Sequence, residues 1–135
     1  MAITQRDYVL RAIEQLGQVV ERIVDYVAKH EYEPALGAVD EAERALLGDQ
    51  LGSLQKLDAT SATLFLHNAE RARGWALIIA QRAYLFGLME RPDEARAEAR
   101  RAEALYAAAE RRGAQLGELD REARRRLEAL GRDFS

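Results

Sequence analysis

Apolar residues recur at three- and four-residue spacing along nearly the whole chain, the signature of amphipathic helices. Near the start Val9, Ile13, Leu16, Val20, Ile23 and Val27 form one row. Thr4 is placed as the N-cap of this first helix, with Asp7 three residues later and Ile3 and Tyr8 at the hydrophobic-staple positions. Lys29 and His30 close it, where the helix dipole favours cations. A second row, Ala12, Val19, Val24 and Tyr26, lies beside the first, so the helix is expected to be covered on more than one side.

A second helix is predicted from near Pro34, with Leu36, Val39, Ala42 and Leu46 on one face and a stop at Gly48. Residues 48–57 read as a loop, given Gly48 and Gly52. Asp58 caps a short helix through Leu64, Phe65 and Leu66, and Asn68 either ends it or caps the next. A long helix follows from about Ala69 to Glu90, carrying Ala72, Trp75, Ile79, Ala83 and Phe86. Pro92, Asp93 and Glu94 open another, which runs through Ala95, Ala99, Ala102, Leu105 and Tyr106 to Gly113. The last helix spans about Glu118 to Leu130, with Leu119, Ala123, Leu127 and Leu130 on its apolar face and Gly131 as its end. The pattern predicts an all-α fold of five to six helices in one domain, residues 1–135: hairpin 1 about 4–48, a loop and short helix about 49–68, hairpin 2 about 69–112, and a C-terminal helix about 118–130.

Composition agrees with this pattern. The chain holds 25 Ala, 18 Leu and 18 Arg against three Thr, three Ser and two Pro, which disfavours sheet. Zero cysteines exclude disulfides, thiolate metal sites and a Cys nucleophile. No apolar run approaches the roughly 18 residues of a membrane helix and no signal-peptide pattern opens the chain, so the expected location is the cytoplasm.

Two stretches repeat at an offset of 60 residues: Tyr26, Tyr32, Ala35 and Ala42 match Phe86, Pro92, Ala95 and Ala102 in spacing. Small residues let antiparallel helices approach closely while the aromatic fills the space beside them. The pattern resembles the tetratricopeptide repeat, with Ala83 matching the small residue of that family's first helix. Departures from it are Ile23 at the equivalent small position, Val19 and Ile79 for its early Trp, Arg22 and Arg82 for its Leu, and Leu47 and Ala107 for its closing Pro. The opening residues Gln5 to Glu14 are also similar to the start of an uncharacterised bacterial family with a tetratricopeptide-like body, which implies a bacterial origin and no chemistry.

The resemblance implies a binding strip on the first helix of each hairpin: Gly17, Val20, Val24, Val27 and Ala28, then Leu77, Ala80, Tyr84, Gly87 and Leu88. The family's Lys/Asn carboxylate clamp is absent. An apolar strip of this kind needs a cover, which is the chain's own short or C-terminal helix, a second copy, or an external helix or apolar ligand. The expected function is therefore a non-catalytic protein-interaction or self-association module. Val20, Val24, Val27, Tyr84 and Leu88 would meet the partner, with Arg22 and Arg82 at the rim for orientation.

Other classes of function find less support. His30 and His67 each precede a Glu by three residues (Glu33 and Glu70), a spacing that on one helix would bring both side chains to a metal. That leaves a metal-binding protein or enzyme as one alternative, although a helix-terminal or partly buried histidine is the ordinary reading. A carrier of a small apolar ligand, using the same strip as a closed pocket, is another. The basic run Arg124–Arg126 interleaves with Glu118, Asp120, Glu122 and Glu128, as on a solvated face, which argues against nucleic acid. Asp40, Glu41 and Glu43 read as solubilising charges, and Trp75 as a core anchor. No glycine-rich phosphate loop, Gly-x-Ser-x-Gly elbow or His-Glu-x-x-His pair is present, and no catalytic, cofactor or metal residue is assigned.

Overall fold

Local capping chemistry sets most of the helix boundaries. In the computed structural model, which describes residues 5–133, Asp58 accepts a hydrogen bond from the Ser61 N–H at 2.7 Å and opens α5 (Ala59–Leu66). That bond, with a second from the Ser61 hydroxyl, holds the Asp58 carboxyl below its ordinary pKa. Asn68 does the same for α6 (Ala69–Leu88), accepting from the Arg71 N–H at 2.9 Å. Pro92 begins α7 (Pro92–Arg111), and Gly113, at φ +98, ends it. Thr4 and Ile3, expected at the first cap and staple, lie outside the described residues.

Four boundaries differ from expectation. The first helix is divided into α1 (Gln5–Glu14) and α2 (Leu16–Ala28) by a turn at Gln15, whose ψ of −5 departs from helical values. Helical bonds continue on either side, from Gln15 N–H to Arg11 and from Val19 N–H to Gln15. The next helix, α3 (Tyr32–Leu47), starts two residues before Pro34, which still falls in the first turn. Residues 48–57, expected as a loop, form a 3-10 turn (Gly48–Gln50) and α4 (Leu51–Gln55), because Leu51 and Leu54 are one turn apart and Leu54 is fully buried. The last helix, α8 (Glu118–Asp133), runs through Gly131 rather than ending there. The described residues thus hold eight α-helical segments and no strand, and none is long and apolar enough to cross a membrane.

The core is built around α6. It pairs most extensively with α7 and also packs against α3, α5 and α8. Ala72, Trp75, Ala76, Leu77, Ile78, Ile79, Ala80 and Ala83 are all buried, so α6 is covered nearly all round, more fully than its single predicted row implied. The hairpins α2–α3 and α6–α7 close with the same turn, 60 residues apart. His30 (φ +56) and Glu90 (φ +59) take the left-handed conformation. The next N–H in each, Glu31 and Arg91, bonds back to Tyr26 and Phe86 at 2.9 Å, completing a Schellman closure. Ala35, Ala95 and Ala102 are fully buried where the second helices cross the first.

Candidate functional site

The largest concentration of polar chemistry lies where α3, α6 and α7 meet. Glu43, from the middle of α3, is only 4% exposed. Its Oε2 accepts the Trp75 indole N–H at 2.8 Å, and its Oε1 accepts from Arg82 at 2.7 Å. Arg82 also donates to Asp40 at 2.9 Å and to Glu98 at 3.3 Å. Burial works against the Arg82 charge, but Glu43, Asp40 and Glu98 outweigh it and raise the guanidinium's pKa. Burial raises the Glu98 carboxyl, against the opposing pull of Arg82. Arg101 lies 4.9 Å over the Trp75 ring and donates to the carbonyls of Leu57 and Leu54.

A groove of about 520 Å³ opens beside this cluster, lined by Asp40, Glu43, Arg44, Gln55, Arg82 and Glu98 among others. Both Glu43 oxygens are engaged, so the cluster clamps three helices together. Two expectations are corrected here. Glu43 is not a solubilising surface charge, because α6 folds over it. Arg82 is not a rim residue, because its side chain, 13% exposed, points into the α3–α7 junction.

A second cluster fixes α8. Asp120, expected on a solvated face, is 1% exposed and accepts from Arg73 (2.8 Å), the Tyr106 hydroxyl (2.9 Å) and the Gly117 N–H (2.8 Å). Burial, and then the Asp120 charge, raise the Tyr106 phenol pKa. The arginine run is paired only in part with its interleaved acids: Arg125 and Arg126 bind Glu122, while Arg124 reaches across to Glu103 and Glu110 on α7.

The two halves of the proposed strip fare differently. On α6, Leu77 and Ala80 are buried, and Tyr84 is half-buried with the Arg126 guanidinium from α8 4.7 Å above its ring. Leu88 remains 36% exposed. On α2, Val20 and Val27 are half-buried, Val24 is 47% exposed, and Arg22 is exposed.

The histidines do not share a helix with their glutamates. His30 sits in the α2–α3 turn, its Nδ1 3.0 Å from the Tyr32 hydroxyl, while Glu33 is inside α3. His67 is the left-handed C-cap of α5, whereas Glu70 belongs to α6. Among the described residues no three His, Asp or Glu side chains converge as a metal site would require.

Three charged residues went unrecognised as buried, and the signal was in the spacing. Glu43 falls on the row Val39, Glu43, Leu46; Asp120 on the row Asp120, Ala123, Leu127; Arg71 on the row Arg71, Trp75, Ile78. A charge at a stripe position marks a buried pair or a site. Compared with known proteins, the chain matches no family model, no curated protein and no solved structure.

Proposed function

We propose that the chain is a non-catalytic interaction module of tetratricopeptide-like build from a bacterial cytoplasm. It docks a partner helix, or a second copy of itself, on the α2 face. The observation that carries this reading is Val24, 47% exposed in the centre of an apolar row flanked by Val20 and Val27. On the matching row of α6, Leu77 and Ala80 are buried and Arg126 of α8 lies over Tyr84, which leaves Leu88 exposed. The repeated hairpin turn supports the tetratricopeptide-like assignment, since both units close on an aromatic carbonyl with the same backbone bonds. Arg22 supplies orientation at the rim of this face.

The test is solution mass by light scattering over a roughly tenfold concentration range, with Val24→Glu as the control, because self-association follows mass action. Val24 is exposed, so the variant keeps its stability to within about 0.5 kcal/mol. It loses the dimer, or, where the chain is monomeric, the captured partner. A Val24→Glu protein with unchanged mass and unchanged capture removes α2 as the docking face.

A further inference from the structure

A separate groove of about 550 Å³ lies between α1, α5 and the start of α6. Val9, Leu10 and Ile13 from α1 and Phe65 and Leu66 from α5 form its apolar side, and Gln50, His67, Asn68 and Glu70 stand with Arg71 on its polar side. Leu10 and Phe65 are 44% and 50% exposed, large apolar side chains left facing solvent on opposite elements of one opening. Its size falls within the roughly 300–1,000 Å³ of small-molecule sites.

Arg71 also lines this groove, and it is 7% exposed. A buried charge is normally paired, because desolvation costs more than neutral partners return. Arg71 has neutral partners only: its Nε–H donates to the Leu46 carbonyl and one terminal nitrogen to the Gln50 side-chain oxygen, both at 2.9 Å. A guanidinium carries five N–H donors; taking those two from five leaves three without an acceptor among the described residues. Burial lowers its pKa and no carboxylate opposes that pull, unlike at Arg73 and Arg82. The nearest acid of the groove, Glu70, is held by Arg73 at 2.8 Å. Arg71 also stands in the first turn of α6, where the helix dipole disfavours a cation and favours an anion.

We infer that this groove binds a single-chain fatty carboxylate, its carboxylate on the free N–H groups of Arg71 and its alkyl tail along Leu10, Ile13 and Phe65. A bidentate carboxylate supplies the missing counter-charge, and the alkyl chain covers the two exposed side chains. A peptide C-terminus shares the carboxylate but brings backbone N–H groups that need acceptors. Along Leu10, Ile13 and Phe65 the groove offers those N–H groups no side-chain acceptor, whereas an alkyl tail needs none, so an alkyl tail is the better fit. This site lies on α1 and α5, and it stands whether or not α2 docks a partner.

The experiment is calorimetric titration of the full chain with decanoate, decanol, decyltrimethylammonium and a short apolar peptide bearing a free C-terminus. Decanoate is expected to bind saturably, at least about tenfold more tightly than the other three, and Arg71→Met to weaken it by about tenfold to a hundredfold. Phe65→Ser, at an exposed position, weakens it several-fold while leaving the fold intact. That variant and the headgroup series decide the matter even where Arg71→Met fails to fold. No saturable decanoate binding, equal affinity for decanol, or tighter binding of the peptide overturns the assignment.

Discussion

Glu43 is tolerated in the core because each carboxylate oxygen receives a strong donor, Trp75 on one side and Arg82 on the other. Removing the carboxylate leaves a guanidinium, 13% exposed, short of its closest partner. Glu43→Ala is therefore expected to cost about 3–5 kcal/mol, the usual range for breaking one side of a buried pair. Glu43→Gln, which retains an acceptor for the indole, should cost distinctly less. Urea denaturation of both variants checks this, and a loss below about 1 kcal/mol for Glu43→Ala would contradict the geometry. Glu43 follows Asp40 and Glu41 in the sequence but falls on the Val39–Leu46 row, and the arrival of α6 and α7 buries it there. Glu43 in turn supplies the acceptor that the buried Trp75 indole N–H needs.

Two glycines within helices show how the same residue carries opposite consequences. At Gly37 on α3 an added Cβ meets nothing within 4 Å, so Gly37→Ala gains helix propensity alone. A stabilisation of about 0.5–1 kcal/mol is expected, read as a raised melting temperature. Gly74 on α6 is different: its Cβ would lie 3.1 Å from Leu16 Cδ1 and 3.5 Å from Leu46 Cδ2. It marks the close approach of α6 to α2 and α3. Gly74→Val overfills this junction and should destabilise by about 1–3 kcal/mol. Equal responses at the two positions would mean that the α6 approach is looser than described. The bend at Gln15 belongs with this packing. The apolar row runs through it unbroken, so spacing carries no sign of it.

The assembly depends on α8, which reaches back to the centre of the fold from the end of the chain. Asp120 binds α6 through Arg73 and α7 through Tyr106, and its bond to Gly117 N–H secures the start of α8 itself. Asp120→Ala leaves the buried Tyr106 hydroxyl without its acceptor and takes from Arg73 its buried partner, leaving it only the exposed Glu70, and a loss of about 3 kcal/mol is expected. Hydrogen exchange should show where the loss falls: amides of α8 lose protection while those of the α6–α7 hairpin keep theirs. Uniform loss across the chain would show that α8 and the hairpins unfold as one unit. With α8 in place, Leu77 and Ala80 are core residues, which is why the interaction surface is assigned to α2 and not to both hairpins.

The helical class, the Asp58 cap, Asn68 as a helix boundary, the Pro92 start and the 60-residue echo between the hairpins were all legible along the chain. Each rests on residues within a few positions of one another, where backbone geometry fixes who meets whom. Spacing puts Glu43, Asp120 and Arg71 on apolar rows, but the partners that bury them, the covering of half the apolar strip and the groove at Arg71 were decided only by the tertiary structure. Those outcomes depend on contacts such as Glu43 with Trp75 and Arg73 with Asp120, 32 and 47 residues apart. Periodicity shows that a face is apolar; which helix comes to lie on it is settled when the elements pack.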